Sequence, residues 1–215
     1  MSASGRAASS VLAAAVERRR LADVLDGLDP TQWQAASLCA GWTVRTVVGH
    51  LVAALDPSPR PLLAAVVRAR GDVHRANTDL AGRVAEMPPA QLVQLLRDRA
   101  DRRLVPPVVG ARGPLTDVVV HGADVCRPLG LPHEPAPSAV EACLDFVTTG
   151  RPVGFVPRGR LRGLRLVATD RDRAWGAGTP VSGPAVDLLL AACGRRVALE
   201  ALTGHGAAVL RERIG

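Results

Sequence analysis

Between Gly113 and Pro128 the chain is confined to a single helix. Pro114 suits the first helical turn, because its φ is already helical and its missing N–H would have had no partner there. Arg127-Pro128 ends the run, since a proline cannot continue the ladder. At about 100° per residue, Leu115, Val118, Val119, Val125 and Cys126 fall on one broad apolar face. Asp117, His121 and Asp124 fall in a narrow stripe beside it. Asp117 and His121 are four residues apart, so their side chains meet one turn above the other. A carboxylate and an imidazole so placed can supply two ligands to one metal ion. An Asp–His hydrogen bond on a half-buried face accounts for the same pair, and this helix alone leaves both readings open.

The rest of the first half reads as further helices. Residues 1 to 8 are small and polar and are expected to fray. Ser9 or Ser10 then caps a helix running to Asp26. Asp29-Pro30-Thr31-Gln32-Trp33 predicts one capped turn with Trp33 packed down as an anchor. The stretch Ser37 to Thr43 is a loop with a turn glycine at Gly41, and Thr43 caps the next helix. In that helix Val44, Val47, Val48, Leu51 and Leu55 share one face, with His50 on its flank. A long helix is predicted over 61–85, with Gly71 a weak point inside it, and a shorter one over 90–103.

After the proline-rich segment around His133 the pattern changes. Ser138 and Glu141 form a capping-box signature at a helix closed by Gly150. Residues 164–169, 173–176 and 180–182 have strand chemistry, with a turn at Asp170-Arg171-Asp172. A helix from Pro184 to Cys193 and a short closing helix follow. The fold class expected is mainly α: a helical bundle over 1–135, then a small α+β domain over 136–215.

Composition narrows the function. The net charge is +7, but all 27 basic residues are Arg, and only Arg18-Arg19-Arg20 run together. That run is expected to be a solvated helix face, and no nucleic-acid partner is predicted. Aromatic residues make up 2% of the chain, so Ala, Val and Leu must fill the core. None of the four cysteines forms a C-x-x-C pair, which points away from zinc ribbons and redox dithiols; Cys126 and Cys193 read as small core residues. No apolar run reaches the roughly 20 residues of a membrane span, and no signal peptide is evident. The expected location is the cytoplasm, without a membrane partner.

His50 on one helix, with Asp117 and His121 on another, would leave coordination positions open, as a working metal site requires. His74, His133 and His205 have no partner at ligand spacing and are not counted. Trp42 reads as a packing anchor and Cys39 as a buried or idle thiol, with a reactive one the alternative.

These motifs resemble those of the mycothiol-dependent maleylpyruvate isomerase family. Ser37-Leu38-Cys39-Ala40-Gly41-Trp42-Thr43-Val44-Arg45 with His50-Leu51 is similar to its first signature. Asp117 to Val125, followed by Arg127-Pro128-Leu129-Gly130, is similar to its second. Gly183 to Leu190, Gly194-Arg195 and Leu202-Thr203-Gly204 are similar to its C-terminal domain. The resemblance implies a DinB-like four-helix bundle followed by a sterol-carrier-like α+β domain. It implies a divalent metal, usually zinc, held by His50, Asp117 and His121, with Asp124 beside the site. Many members carry Glu where this chain has Asp117, which is one methylene shorter.

The activity implied is mycothiol-dependent: cis–trans isomerisation, or thiol transfer to a small electrophile, through a metal-stabilised thiolate. Arg195, with Arg196 as rival, is the candidate for holding substrate carboxylates. The alternative is a non-catalytic, metal-stapled bundle that binds a small ligand or a protein.

Overall fold

The computed structural model describes residues 3–215. Its elements are α1 (Ala3–Asp26), α2 (Pro30–Gln34), α3 (Val44–Ala54), α4 (Arg60–Arg68), α5 (Val73–Val84), α6 (Pro89–Asp98), α7 (Arg112–Cys126) and α8 (Pro137–Thr149). Then come β1 (Leu164–Ala168), β2 (Ala174–Gly176), β3 (Thr179–Gly183), α9 (Ala185–Ala192), a 3₁₀ helix (Arg196–Ala201) and α10 (His205–Ile214). The chain is therefore mainly α with one small sheet, as its periodicities predict. No helix among the described residues is long and apolar enough to cross a membrane.

Two compact bodies divide the chain, and α7 is a continuous helix that contributes residues to both. One body comprises residues 14–103 and 121–134. Its core holds Leu21, Ala22 and Leu25 of α1, Val44, Val47, Val48 and Leu51 of α3, and Leu92 and Leu96 of α6, all nearly inaccessible. Trp33 is buried on α2, whose Asp29 cap and Gln32 form a reciprocal capping box. Thr43 caps α3 by accepting from the Thr46 amide.

The other body comprises residues 3–13, 104–120 and 135–215. Its sheet has the order β2-β1-β3, with β1 antiparallel to β2 and parallel to β3. Leu164, Leu166 and Val181 point inward, and α9 packs on β1 and β3 with Leu188, Leu189 and Leu190 fully buried. The Trp175 indole donates to Asp145 of α8 at 2.8 Å, which satisfies its N–H where the ring is buried.

Five local expectations are corrected. Helix α1 begins at Ala3, so residues 3–8 are helical; residues 1 and 2 lie outside the described residues. Ser10 is no cap: its hydroxyl donates to the Arg6 carbonyl one turn back, inside the helix. Arg18 is not on a solvated face. It is 4% exposed and donates to the carbonyls of Ala100 and Arg102, at 2.8 and 3.2 Å.

The helix expected over 61–85 is broken into α4 and α5. Arg70 (φ 53°) and Gly71 (φ 87°) are both left-handed. Gly71 N–H bonds to Val66 and Arg70 N–H to Val67, the two closing bonds of a Schellman motif. Asp72 then caps α5 through the Arg75 amide.

Ser138 does not cap α8, which starts at Pro137 with Ala136 as an uncapped N-cap. Proline's preset φ takes the first helical position. Glu141 faces Arg171 and Arg173 instead.

Candidate metal centre

Three segments of one body converge on His50 and His121. Helix α3 carries His50 on the flank of its buried valine face. Helix α7 carries His121 and Asp124, and it is buried on almost every side: Leu115, Val118, Val119, Val120, Ala123, Val125 and Cys126 are all inaccessible. The loop before α3 is the third. It is a tight turn in which Ser37 N–H bonds to Trp42, Trp42 N–H bonds to Cys39, and Gly41 takes the left-handed φ of 77°. Leu38 N–H donates to the Asp124 carbonyl at 3.1 Å, which ties the loop to α7.

The rings of His50 and His121 lie 5.0 Å apart, edge to face. Trp42 is 5.6 Å from the first ring and stacks near-parallel to the second at 6.5 Å. Asp117 stands one turn before His121 on the same unbroken helix. His50, Asp117 and His121 each present one donor atom, all within 4.8 Å of one another.

Each imidazole also has an outer partner at Nδ1. His121 Nδ1 lies 2.8 Å from Asp124 Oδ2, and His50 Nδ1 lies 3.1 Å from Asn77 Oδ1 on α5. An acceptor at Nδ1 fixes the proton there and leaves Nε2 as the ring's ligand atom. Two imidazoles and a carboxylate, with both rings oriented from outside, fit a divalent cation of borderline softness such as zinc.

A second trio, Cys39, His121 and Asp124, is equally compact. Its spacing argues against a cation. With metal–ligand distances of about 2.0–2.3 Å, the edges of a tetrahedral zinc site run about 3.3–3.8 Å. Cys39 Sγ lies 3.1 Å from Asp124 Oδ2, and His121 Nδ1 2.8 Å from the same oxygen. Those are hydrogen-bond lengths: thiol and ring both donate to a carboxylate that is fully buried. Cys39 is thus half-buried and engaged, not idle.

Residues 14–105 match the family model described as the mycothiol maleylpyruvate isomerase N-terminal domain. This match ends before α7 begins. The fold of the whole chain is similar to a crystal structure of the mycothiol-dependent maleylpyruvate isomerase, with TM-score 0.64 and 15% identity over 94% of this chain and 93% of that one. It is similar also to that isomerase with one histidine changed to alanine, at TM-score 0.62, the same identity and the same coverage. No curated protein matches the sequence.

Periodicity and spacing did not place Asn77, Trp42 or His133 beside the two imidazoles. Asn77 lies on the same face of α5 as buried Leu80 and Ala81; a lone amide on an apolar stripe was the signal. Trp42 packs beside both imidazoles, not at a distance from them. His133 sits against Gly122, next to His121: a Cβ at Gly122 would lie 2.6 Å from its Nε2. Its Nδ1 is buried without a partner. Burial, with Arg127 nearby and only partly offset by Asp124, lowers its pKa to about 4. His74 and His205 are exposed. Arg195 belongs to the other body, where its guanidinium donates to the Cys193 carbonyl at 2.8 Å, and Arg196 is exposed.

Proposed function

We propose that the chain is a divalent-metal-dependent, mycothiol-using enzyme acting on a small electrophile, by cis–trans isomerisation or thiol transfer. The observation that carries this reading is the gathering of His50, Asp117 and His121 within ligand reach. The Nδ1 of each histidine is engaged by an outer acceptor. Three protein ligands leave a position open for a further donor, as catalytic sites do.

His50, Asp117 and His121 would hold the cation, with zinc the best fit to the donors. When bound, it would supply positive charge that favours the thiolate of an arriving low-molecular-weight thiol. Asp124, 2.8 Å from Nδ1 of His121, would hold the proton there and orient the ring. Trp42 sets an apolar ring beside both imidazoles. Arg195 remains the candidate for a substrate carboxylate, since a guanidinium matches that group in shape and charge.

The surrounding charge supports a small-molecule substrate over nucleic acid. Some of the Arg side chains are engaged within the fold itself, Arg18 in its interior and others at its surface. Arg97 pairs with Asp23 and Asp26, Arg18 binds two carbonyls, and Arg213 binds those of Gly159, Arg160 and Arg162.

The test is metal analysis of purified protein with His50→Ala and His121→Ala beside it, followed by turnover with mycothiol and a panel of electrophiles. Stoichiometric zinc lost in both variants, with thiol-dependent turnover, is expected. Metal-free wild type that also takes up no added zinc overturns the metal site. Bound zinc without turnover across the panel favours the metal-stapled binding module.

A further inference from the structure

Asn77 is an amide on a helix of unrelated sequence position, yet it reaches the ring of His50. Its Oδ1 lies 3.1 Å from His50 Nδ1, and it is half-buried. Two features of the chain bring it there. The left-handed pair at Arg70 and Gly71 ends α4 and lets α5 begin afresh at Asp72. Gly49, the residue before His50, then lets α5 close on α3. A Cβ at position 49 would lie 2.5 Å from the Ala81 carbonyl oxygen and 2.9 Å from the Ala85 nitrogen. Ala81 is one turn after Asn77, so the close approach and the amide share one face of α5.

We infer that Asn77 is a positioning residue that holds His50 as its Nδ1-protonated tautomer and presents Nε2 as the ligand atom. Oδ1 can only accept, so the ring nitrogen facing it is the donor. The two histidines are therefore held unequally. His121 leans on a buried carboxylate, which sets an acidic group behind the ring; His50 leans on a neutral amide, which orients the ring without adding charge. His50 is the weaker of the two imidazole ligands, and position 77 is where its strength is set. The consequence for affinity rests on the metal-site reading above; the tautomer does not.

The experiment uses the full chain, metal-free and zinc-loaded, with Asn77→Leu, Asn77→Ala and Asn77→Asp beside wild type. Long-range nitrogen-15 spectra of the metal-free protein should show His50 protonated at Nδ1 in wild type and in N77D. In N77L and N77A, the ring should move toward the other tautomer. Zinc affinity, read by competition with a chelating dye, should fall about 10–100-fold in N77L and N77A, and N77D should restore it to wild-type strength or above. Circular dichroism identifies any variant that fails to fold, in which case the remaining pair decides. Wild-type His50 protonated at Nε2, or N77L and N77A leaving both tautomer and affinity unchanged, overturns the inference. The expected tautomer shift in a protein that binds no zinc would uphold the role of Asn77 and refute the metal reading alone.

Discussion

His121 Nδ1 and Asp124 Oδ2 lie 2.8 Å apart across one turn of the same helix, and the carboxylate is wholly inaccessible to solvent. A buried carboxylate is tolerated only where donors surround it. Here a ring N–H and the Cys39 thiol both point at one oxygen. The carboxylate is thus placed behind the imidazole, where its hydrogen bond holds the ring's orientation.

Replacing Asp124 by Asn keeps the shape and removes the charge. Zinc affinity should fall about 10–100-fold, the usual effect of altering the outer partner of a ligating histidine. His121→Ala, which deletes the ligand itself, should cost more. Competition with a chelating dye ranks the two.

Gly49→Ala places a methyl group against the backbone of α5. Helix backbones cannot yield as side chains do, so the substitution should destabilise the fold by about 1–3 kcal/mol. It should also weaken zinc binding, because moving α5 away withdraws Asn77 from His50. Urea denaturation and dye competition on the same preparation measure both. Gly82→Ala is the control: a Cβ there meets nothing within 4 Å.

The His133 pKa of about 4 makes stability depend on acid. The folded pKa lies below the unfolded value of about 6.5, so the unfolded chain binds the extra proton first. The contribution is whole above pH 6.5 and is lost as pH falls toward 4. Its full size is roughly 3 kcal/mol at about 1.4 kcal/mol per pKa unit. Denaturation midpoints at pH 7 and pH 5 should differ more in wild type than in His133→Gln. Equal pH slopes in the two proteins would remove His133 as the cause.

Arg70 adopts a left-handed φ of 53° at the end of α4. That conformation costs a non-glycine residue about 1–2 kcal/mol, of which glycine's greater unfolded freedom returns about 0.5–1. Arg70→Gly should therefore stabilise the protein by about 0.5–1 kcal/mol, visible as a higher melting temperature. Gly71→Ala, at φ 87°, should do the reverse.

The helices and the ligand trio were legible because they repeat a pattern. Val44, Val47, Val48 and Leu51 announce the buried face of α3, and Asp117 and His121 meet by helical spacing alone. What escaped depends on partners distant in sequence. Asn77 acquires its meaning from His50, 27 residues earlier, and Cys39 from Asp124, 85 residues later. Nothing local distinguishes Arg18, which turns inward to the end of α6, from Arg19, which pairs with Asp101 at the surface. The Ser138 cap failed for a local reason, since the proline before it claimed the helix start. The break at Arg70 was hidden because arginine is an uncommon residue to find left-handed.

Of the four thiols, Cys126, Cys143 and Cys193 are shut inside the packing, and burial raises that of Cys126 to about 11. Only Cys39 has an edge toward solvent, and it stands against the ring of His121. A single alkylating fluorophore would thus attach itself at one address without any engineered mutation, and its emission would report on whatever arrives beside the imidazoles.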